Sequence, residues 1–270
     1  VLALPIHHTS TVADISGYCV SGLLNKIIFY RKSTMTTTPA VVPVTNRLIG
    51  SLPGREHRRL IKYCETVDLL FGETLCQPGQ HFRHVYFPLT GFISLVSVLS
   101  DHPPLEIGLI GNEGMLGATL VLQLSAAPVR ATVQGPGTAL RMTTANLRRE
   151  LQYCPSLLRK LKHFIYILMV QLSQTVACTH FHEIEPRLAR WLLMTHDRAH
   201  RDHFHLTHEF LSAMLGVRRS SITIAAGALQ QRKLIRYTRG EIHILNRTGL
   251  EAASCECYSA ALKDYSRLLD

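Results

Sequence analysis

Acidic side chains are in short supply. Asp and Glu number 19 against 29 Lys and Arg, so the 270-residue chain carries a formal net charge of +10. That deficit favours an anionic partner, of which nucleic acid is the usual one, although many basic chains never touch DNA. Tryptophan is nearly missing, at one residue, yet 46% of the residues are hydrophobic, enough for real cores and against wholesale disorder. Catalytic signatures are lacking too: there is no Gly-x-Ser-x-Gly elbow, no Gly-x-x-x-x-Gly-Lys phosphate loop and no His-Glu-x-x-His. An enzyme is therefore not expected. The seven cysteines (Cys19, Cys64, Cys76, Cys154, Cys178, Cys255 and Cys257) are odd in number and follow no regular framework. They argue against a disulfide-built secreted protein and fit a reducing cytoplasm. Read by eye, no apolar run reaches bilayer-spanning length, no secretory signal stands at the start, and no membrane partner is expected.

The most informative stretch is Leu206 to Leu229, LTHEFLSAMLGVRRSSITIAAGAL. Its spacing is that of a helix-turn-helix. Leu211, Leu215, Val217, Ile222 and Ala225 fall on the facing sides of two crossed helices. Gly216 sits where the first helix must end in a left-handed conformation that glycine adopts cheaply. The second helix opens on Arg218, Arg219, Ser220, Ser221 and Thr223, a basic and hydroxyl-rich set. In this motif that end enters the DNA major groove, where arginine binds guanine O6 and N7 bidentately and hydroxyls reach phosphates or base edges. His208, at the head of the first helix, joins the same candidate DNA-binding set. An ordinary helical hairpin has a similar outline, so the downstream residues matter.

After the second helix the pattern alternates through Ile235, Arg236 and Tyr237. Thr238–Arg239–Gly240–Glu241 reads as a tight turn, and Ile242–His243–Ile244–Leu245 resumes strand-like residues. The result is a winged helix, with Arg236 and Arg239 at the hairpin beside the groove.

Upstream, residues 1–45 read as an N-terminal tail. Val1 stands where Met is usual, and Met35 reads as the natural start, the segment before it being an over-extended reading frame or a disordered tail. Residues 46–153 begin with a helical pattern over Asn46–Ile61 and continue as glycine-punctuated strands: Val85–Phe87, Phe92–Leu99, Leu105–Ile110, Arg130–Val133 and Thr138–Met142. Short strands at this spacing predict an antiparallel roll. Residues 154–184 form a long helix that starts at Pro155, with Leu157, Leu158, Leu161, Phe164, Ile165, Leu168, Leu172 and Val176 in a stripe at spacings of three and four. So long a stripe commonly pairs with its own copy. Residues 185–248 form the winged helix-turn-helix, and 249–270 a C-terminal tail. The class is α+β.

This order of parts resembles the Crp/Fnr family of bacterial transcriptional regulators. The resemblance rests most on Glu185–Pro186–Arg187–Leu188–Ala189–Arg190–Trp191–Leu192–Leu193, on the helix-turn-helix and on the wing. It implies a sequence-specific regulator that binds double-stranded DNA as a homodimer, contacts RNA polymerase, and is gated by an effector at the roll. Arg219 matches the family's guanine-reading arginine; Ser220 and Ile224 stand where a glutamate and a second arginine are frequent, so the operator does not carry over. Cyclic-nucleotide-binding members hold the ribose with a glutamate after a glycine and the phosphate with Arg-Ser-Ala. Glu113, Arg130 and Thr132 occupy the analogous places here, but Ala131 replaces the serine and the glycine–glutamate step is altered, so cyclic nucleotide is a degraded candidate. Cys64 and Cys76 stand apart, against an iron–sulfur cluster, and nothing points specifically to haem. His196 with His200, His203, His205 and His208, then Cys178 with His180 and His182, then Cys255-x-Cys257, make separate small groups. Zinc needs four ligands brought together, and no metal site is expected. The rival reading is a ligand- or partner-binding module that has lost DNA binding; Arg218 and Arg219 weigh against it.

Overall fold

The computed structural model describes residues 45–269. The expected tail, with its start at Met35, lies outside them apart from Thr45. The helical pattern after it forms as two helices, α1 (Arg47–Gly50) and α2 (Gly54–Ile61), because Pro53 stands between them as the N-cap of the second. Asn46 fixes this entry. Its Oδ1 accepts from the backbone of Leu48 and Ile49, and its Nδ2 donates to Pro88 O and Gly114 O at 3.1 and 2.8 Å.

Seven antiparallel strands follow: β1 (Glu65–Leu69), β2 (Thr74–Cys76), β3 (His84–Pro88), β4 (Phe92–Ser97), β5 (Leu105–Ile110), β6 (Arg130–Gly135) and β7 (Gly137–Thr143). They form one sheet in the order β1-β7-β3 and another in the order β2-β6-β4-β5. Val85 pairs with Met142 and Ile93 with Val133, so alternate residues of both sheets point into one core. Leu69, Phe87, Ile93, Met115, Val133 and Met142 lie at its centre. A short 3-10 helix, Ala118–Leu122, bridges β5 to β6, and α3 (Thr144–Leu151) is capped by Thr143 Oγ1.

Helix α4 (Pro155–Phe181) begins on the proline, as expected, and closes the roll with Leu157, Leu161, Phe164 and Ile167. Among the described residues it is long and apolar enough by length and composition to cross a membrane. The expectation of no such run is corrected here. Leu157, Leu161, Phe164 and Ile167 complete the roll's core, whereas Met169, Leu172 and Val176 are exposed.

A second core follows. Helix α5 (Ile184–Ala199) supplies Leu188, Ala189, Leu192 and Leu193, and it packs on α6 (His208–Leu215), α7 (Arg219–Gln231) and the sheet β8 (His203–His205), β10 (Glu241–Ile244), β9 (Ile235–Thr238). The last residues, read as a tail, contain α8 (Arg247–Ala253) and α9 (Cys257–Leu269). Tyr265 of α9 is buried in the roll's core and Tyr258 in the second. Buried polar contacts stitch the two cores together: Trp191 Nε1 donates to Glu106 Oε1 at 2.7 Å, and Arg198 pairs with Glu113 at 2.7 Å.

Candidate nucleic-acid interface

The helix-turn-helix is built as its residues dictate. Thr207 Oγ1 caps α6 by accepting from Phe210 N, and Gly216, at φ +65°, ends it in the left-handed region. Leu211, Leu215, Ile222 and Ala225 are buried between the helices. Arg187 of α5 reaches across and donates from Nη2 to Leu215 O at 2.6 Å, which holds the turn from behind. The motif's arginines therefore divide: Arg187 braces the turn, while Arg218 and Arg219 lie exposed at the start of α7.

Ser220 and Thr223 are exposed and Ser221 half-buried. Ile224, which in the sequence only departs from the family's arginine, is 74% exposed. It sits one helical turn beyond Ser220 on the same face of the helix. Gly227 continues that face and has open space where a Cβ would stand.

His208 has a different setting. Its ring stacks on Tyr237 of β9, centroids 4.3 Å apart, and its Nδ1 lies 3.0 Å from Thr223 Oγ1. Thr223 Oγ1 donates to Arg219 O at 3.1 Å, so His208 Nδ1–H is the donor to Thr223. Burial, and next to it the Arg219 charge, push the imidazole pKa below its ordinary value. His208 thus braces α6, α7 and the wing together.

The wing turns on Arg239 and Gly240, at φ +51° and +85°. Two successive positive φ values are what a two-residue hairpin needs to match strand twist, and glycine takes the second without strain. Arg236 and Arg239 are exposed on this hairpin. Strand β8, not seen in the sequence, adds a third strand through Phe204 opposite Ile242. Among the described residues no carboxylate pairs with Arg218, Arg219, Arg236 or Arg239, which leaves their charge directed at solvent or a polyanion.

The residues expected at an effector site sit apart in their bonding. Glu113 is buried; its carboxylate accepts from Gly111 N at 3.1 Å and pairs with Arg198. Burial works against the Arg198 charge, but Glu113 outweighs it and holds the guanidinium above its ordinary value. Glu113 is thus paired with Arg198, not turned toward Arg130 or Thr132. Arg130 Nε donates to Gln77 Oε1 at 3.1 Å, and Thr132 lies two residues along the same strand. The histidine groups resolve likewise: His196 meets Asp202 and Arg247, His203 stacks on His243, and His205 pairs with Glu241.

A closed antiparallel roll, a long helix and a winged helix-turn-helix with an unpaired basic face define a two-module DNA-binding regulator. Residues 186–253 match the Crp-like helix-turn-helix domain, and residues 67–154 match the cyclic nucleotide-binding domain. The chain belongs to the Crp/Fnr family of transcriptional regulators, a family of regulators rather than enzymes. No curated protein sequence matches it. Solved structures share the fold. FixK2 of Bradyrhizobium japonicum aligns at 15% identity and a TM-score of 0.60 over 71% of this chain and 98% of that one. The c-di-GMP-responsive global regulator CLP of Xanthomonas campestris gives 13% and 0.59 over 71% and 99%. TTHA1359, a Crp/Fnr-family regulator of Thermus thermophilus, gives 20% and 0.54 over 72% and 98%.

Proposed function

We propose that this regulator binds double-stranded DNA as a homodimer, with α7 in the major groove and the wing on the flanking backbone. The observation that carries the reading is the exposed, carboxylate-free set Arg218, Arg219, Arg236 and Arg239 around one hydroxyl-lined helix face. Arg219 takes a guanine bidentately; Ser220, Ser221 and Thr223 take base edges or phosphates; Arg236 and Arg239 take phosphates. His208 acts through Thr223.

Helix α4 supports the homodimer. Its inner face packs on the roll, yet Met169 and Val176 are 61% and 72% exposed, with Ile165 and Leu172 at matching spacings of four, three and four. Such an outward seam is what a second copy of the same helix covers. Two recognition helices then face half-sites about one DNA turn apart. With its other face on the roll, α4 serves as a pairing helix and not as a membrane span. Six free cysteines among the described residues fit work in a reducing cytoplasm. Contact with RNA polymerase follows from the family.

Effector gating is part of the proposal. An anionic effector lies against Arg130 and Thr132, and the Glu113–Arg198 pair relays its presence from the roll to α5. The test is an electrophoretic shift on the DNA upstream of the protein's own gene at several salt concentrations, with sedimentation of the free protein. A dimer whose sequence-specific complex weakens steeply with salt is expected. A monomer, or a protein indifferent to DNA at low salt, overturns the reading.

A further inference from the structure

Cys178 and His182 lie one turn apart at the end of α4, and Cys255 and Cys257 flank the entry to α9, 77 residues from Cys178. In the fold they converge. The Sγ atoms of Cys178 and Cys255 are 3.6 Å apart, Cys257 Sγ lies 3.6 Å from His182 Nδ1, and all four donor atoms fall within 4.8 Å of one another. We propose that these four side chains form a tetrahedral Cys3His site for one thiophilic divalent ion of the zinc class.

The geometry favours a single ion. Metal–sulfur bonds of ~2.3 Å and metal–nitrogen bonds of ~2.0 Å in a tetrahedron put sulfur pairs about 3.8 Å apart and sulfur–nitrogen pairs about 3.5 Å apart. The two distances of 3.6 Å fall close to both. A compact tetrahedron of this size has no space for an iron–sulfur cage. The second layer of contacts is also in place: His182 Nε2 lies 3.1 Å from Glu256 Oε1, so the imidazole gives its outer N–H to a carboxylate and turns Nδ1 inward. The three cysteines are buried together and apart from both large cores.

Charge points the same way. A divalent ion with three thiolates and a neutral imidazole carries one net negative charge, and its assembly releases three thiol protons to solvent. Cys178 shares a cavity lining with Arg187 and Arg190, and Arg190 has buried Nε and Nη2 atoms with no hydrogen-bond partner. A thiolate-bound ion gives that guanidinium its counter-charge.

The site lies where α4 gives way to α5, so the ion ties the end of the pairing helix to the C-terminal helices. We infer that metal occupancy fixes the angle at which α7 is presented. This second step rests on the DNA-binding reading above; the site itself does not.

The test uses the full-length chain. Protein purified with its thiols reduced is expected to hold one zinc-class ion per chain. After its removal, Co(II) should restore the thiolate charge-transfer band and the intense visible bands of a tetrahedral ion. That spectrum needs no variant, so a misfolded mutant cannot obscure it. Cys257→Ala should abolish it, Glu256→Gln should weaken metal affinity ~10- to 100-fold, and His180→Ala should leave it intact. Absence of metal with an octahedral Co(II) spectrum overturns the site, as does a Cys178–Cys255 disulfide in the reduced-purified protein or an iron–sulfur chromophore. DNA affinity measured with and without the ion tests the hinge alone: a tenfold or larger fall on removal supports it, and equal affinity overturns it while leaving the metal result standing.

Discussion

Helices α5 and α7 both carry arginines, and the fold uses them in opposite ways. On α5, Arg187, Arg190 and Arg198 are buried. Arg187 donates to the Leu215 carbonyl and Arg198 pairs with the Glu113 carboxylate, while Arg190 lines a cavity with its Nε and Nη2 atoms lacking a hydrogen-bond partner. On α7 and the wing, Arg218, Arg219, Arg236 and Arg239 are exposed and unpaired among the described residues. An unmatched charge in a low-dielectric interior is severely destabilising, which makes the Arg198–Glu113 pair important to the fold. Exposed arginine costs the fold little and acts on contact with phosphate or guanine. The same residue type is therefore architecture in one helix and, in the proposed reading, readout in the next.

The largest expected effect breaks the α5 side of this contrast. Arg198→Ala strands Glu113 inside the protein and should lower unfolding stability by about 3–5 kcal/mol in a urea titration. The double change Arg198→Met with Glu113→Gln should recover most of that loss. A single variant as stable as the parent would make the pair ornamental.

Next comes Glu106, the other buried acid between the two cores. Burial pushes its carboxyl up to about 7, against the pull of hydrogen bonds from Ser94 and Trp191. Between about 4.5 and 7 the folded chain therefore holds a proton that the unfolded chain has lost, so stability falls as pH rises through that window. The loss is about 3 kcal/mol, complete above pH ~7. Glu106→Gln should flatten the slope and be the more stable protein at pH ~8. Denaturant midpoints across the range check the sign; a slope that persists in the variant assigns it elsewhere.

Smaller effects sharpen the α7 side. Arg239→Ala should weaken binding to every duplex alike and reduce the salt slope by about 1, as loss of one phosphate contact requires. A change confined to one sequence would make Arg239 a base reader. Smallest is Gly227→Ala, which fills open space on an exposed helix face and should stabilise the fold by about 0.5–1 kcal/mol. Loss of DNA affinity in that variant would show that the duplex approaches the backbone at Gly227.

The two regions also differ in how far the sequence disclosed them. The helix-turn-helix was legible because its signals are local: Gly216, the buried stripe around it and the Arg239–Gly240 turn lie within a few residues of their effects. The roll was half legible. Phe92–Ser97 shows as a strand through its apolar run, whereas β1 exposes most of Glu65–Leu69 and β2 is three residues long, so neither carries a clear alternation. Helix α9 escaped although Tyr258, Ala261, Tyr265 and Leu268 recur at spacings of three and four; its partners lie on helices far back in the chain. Glu113 and Arg198 are 85 residues apart, and Cys178 lies 77 from Cys255. No single-chain periodicity reports a pairing at that range. In the sequence Cys178, His180 and His182 form one small group and Cys255-x-Cys257 another; the fold brings Cys178, His182, Cys255 and Cys257 together and leaves His180 exposed.

The central claim, that exposed arginines on α7 read sequence while buried ones on α5 hold the fold, meets its most direct test in Arg219→Ala. Its affinity for the specific duplex and for a scrambled competitor should be measured beside its thermal midpoint. Specific binding should weaken by about 1–3 kcal/mol while the midpoint and the scrambled-duplex affinity barely move. Undiminished preference for the specific duplex would contradict the assignment.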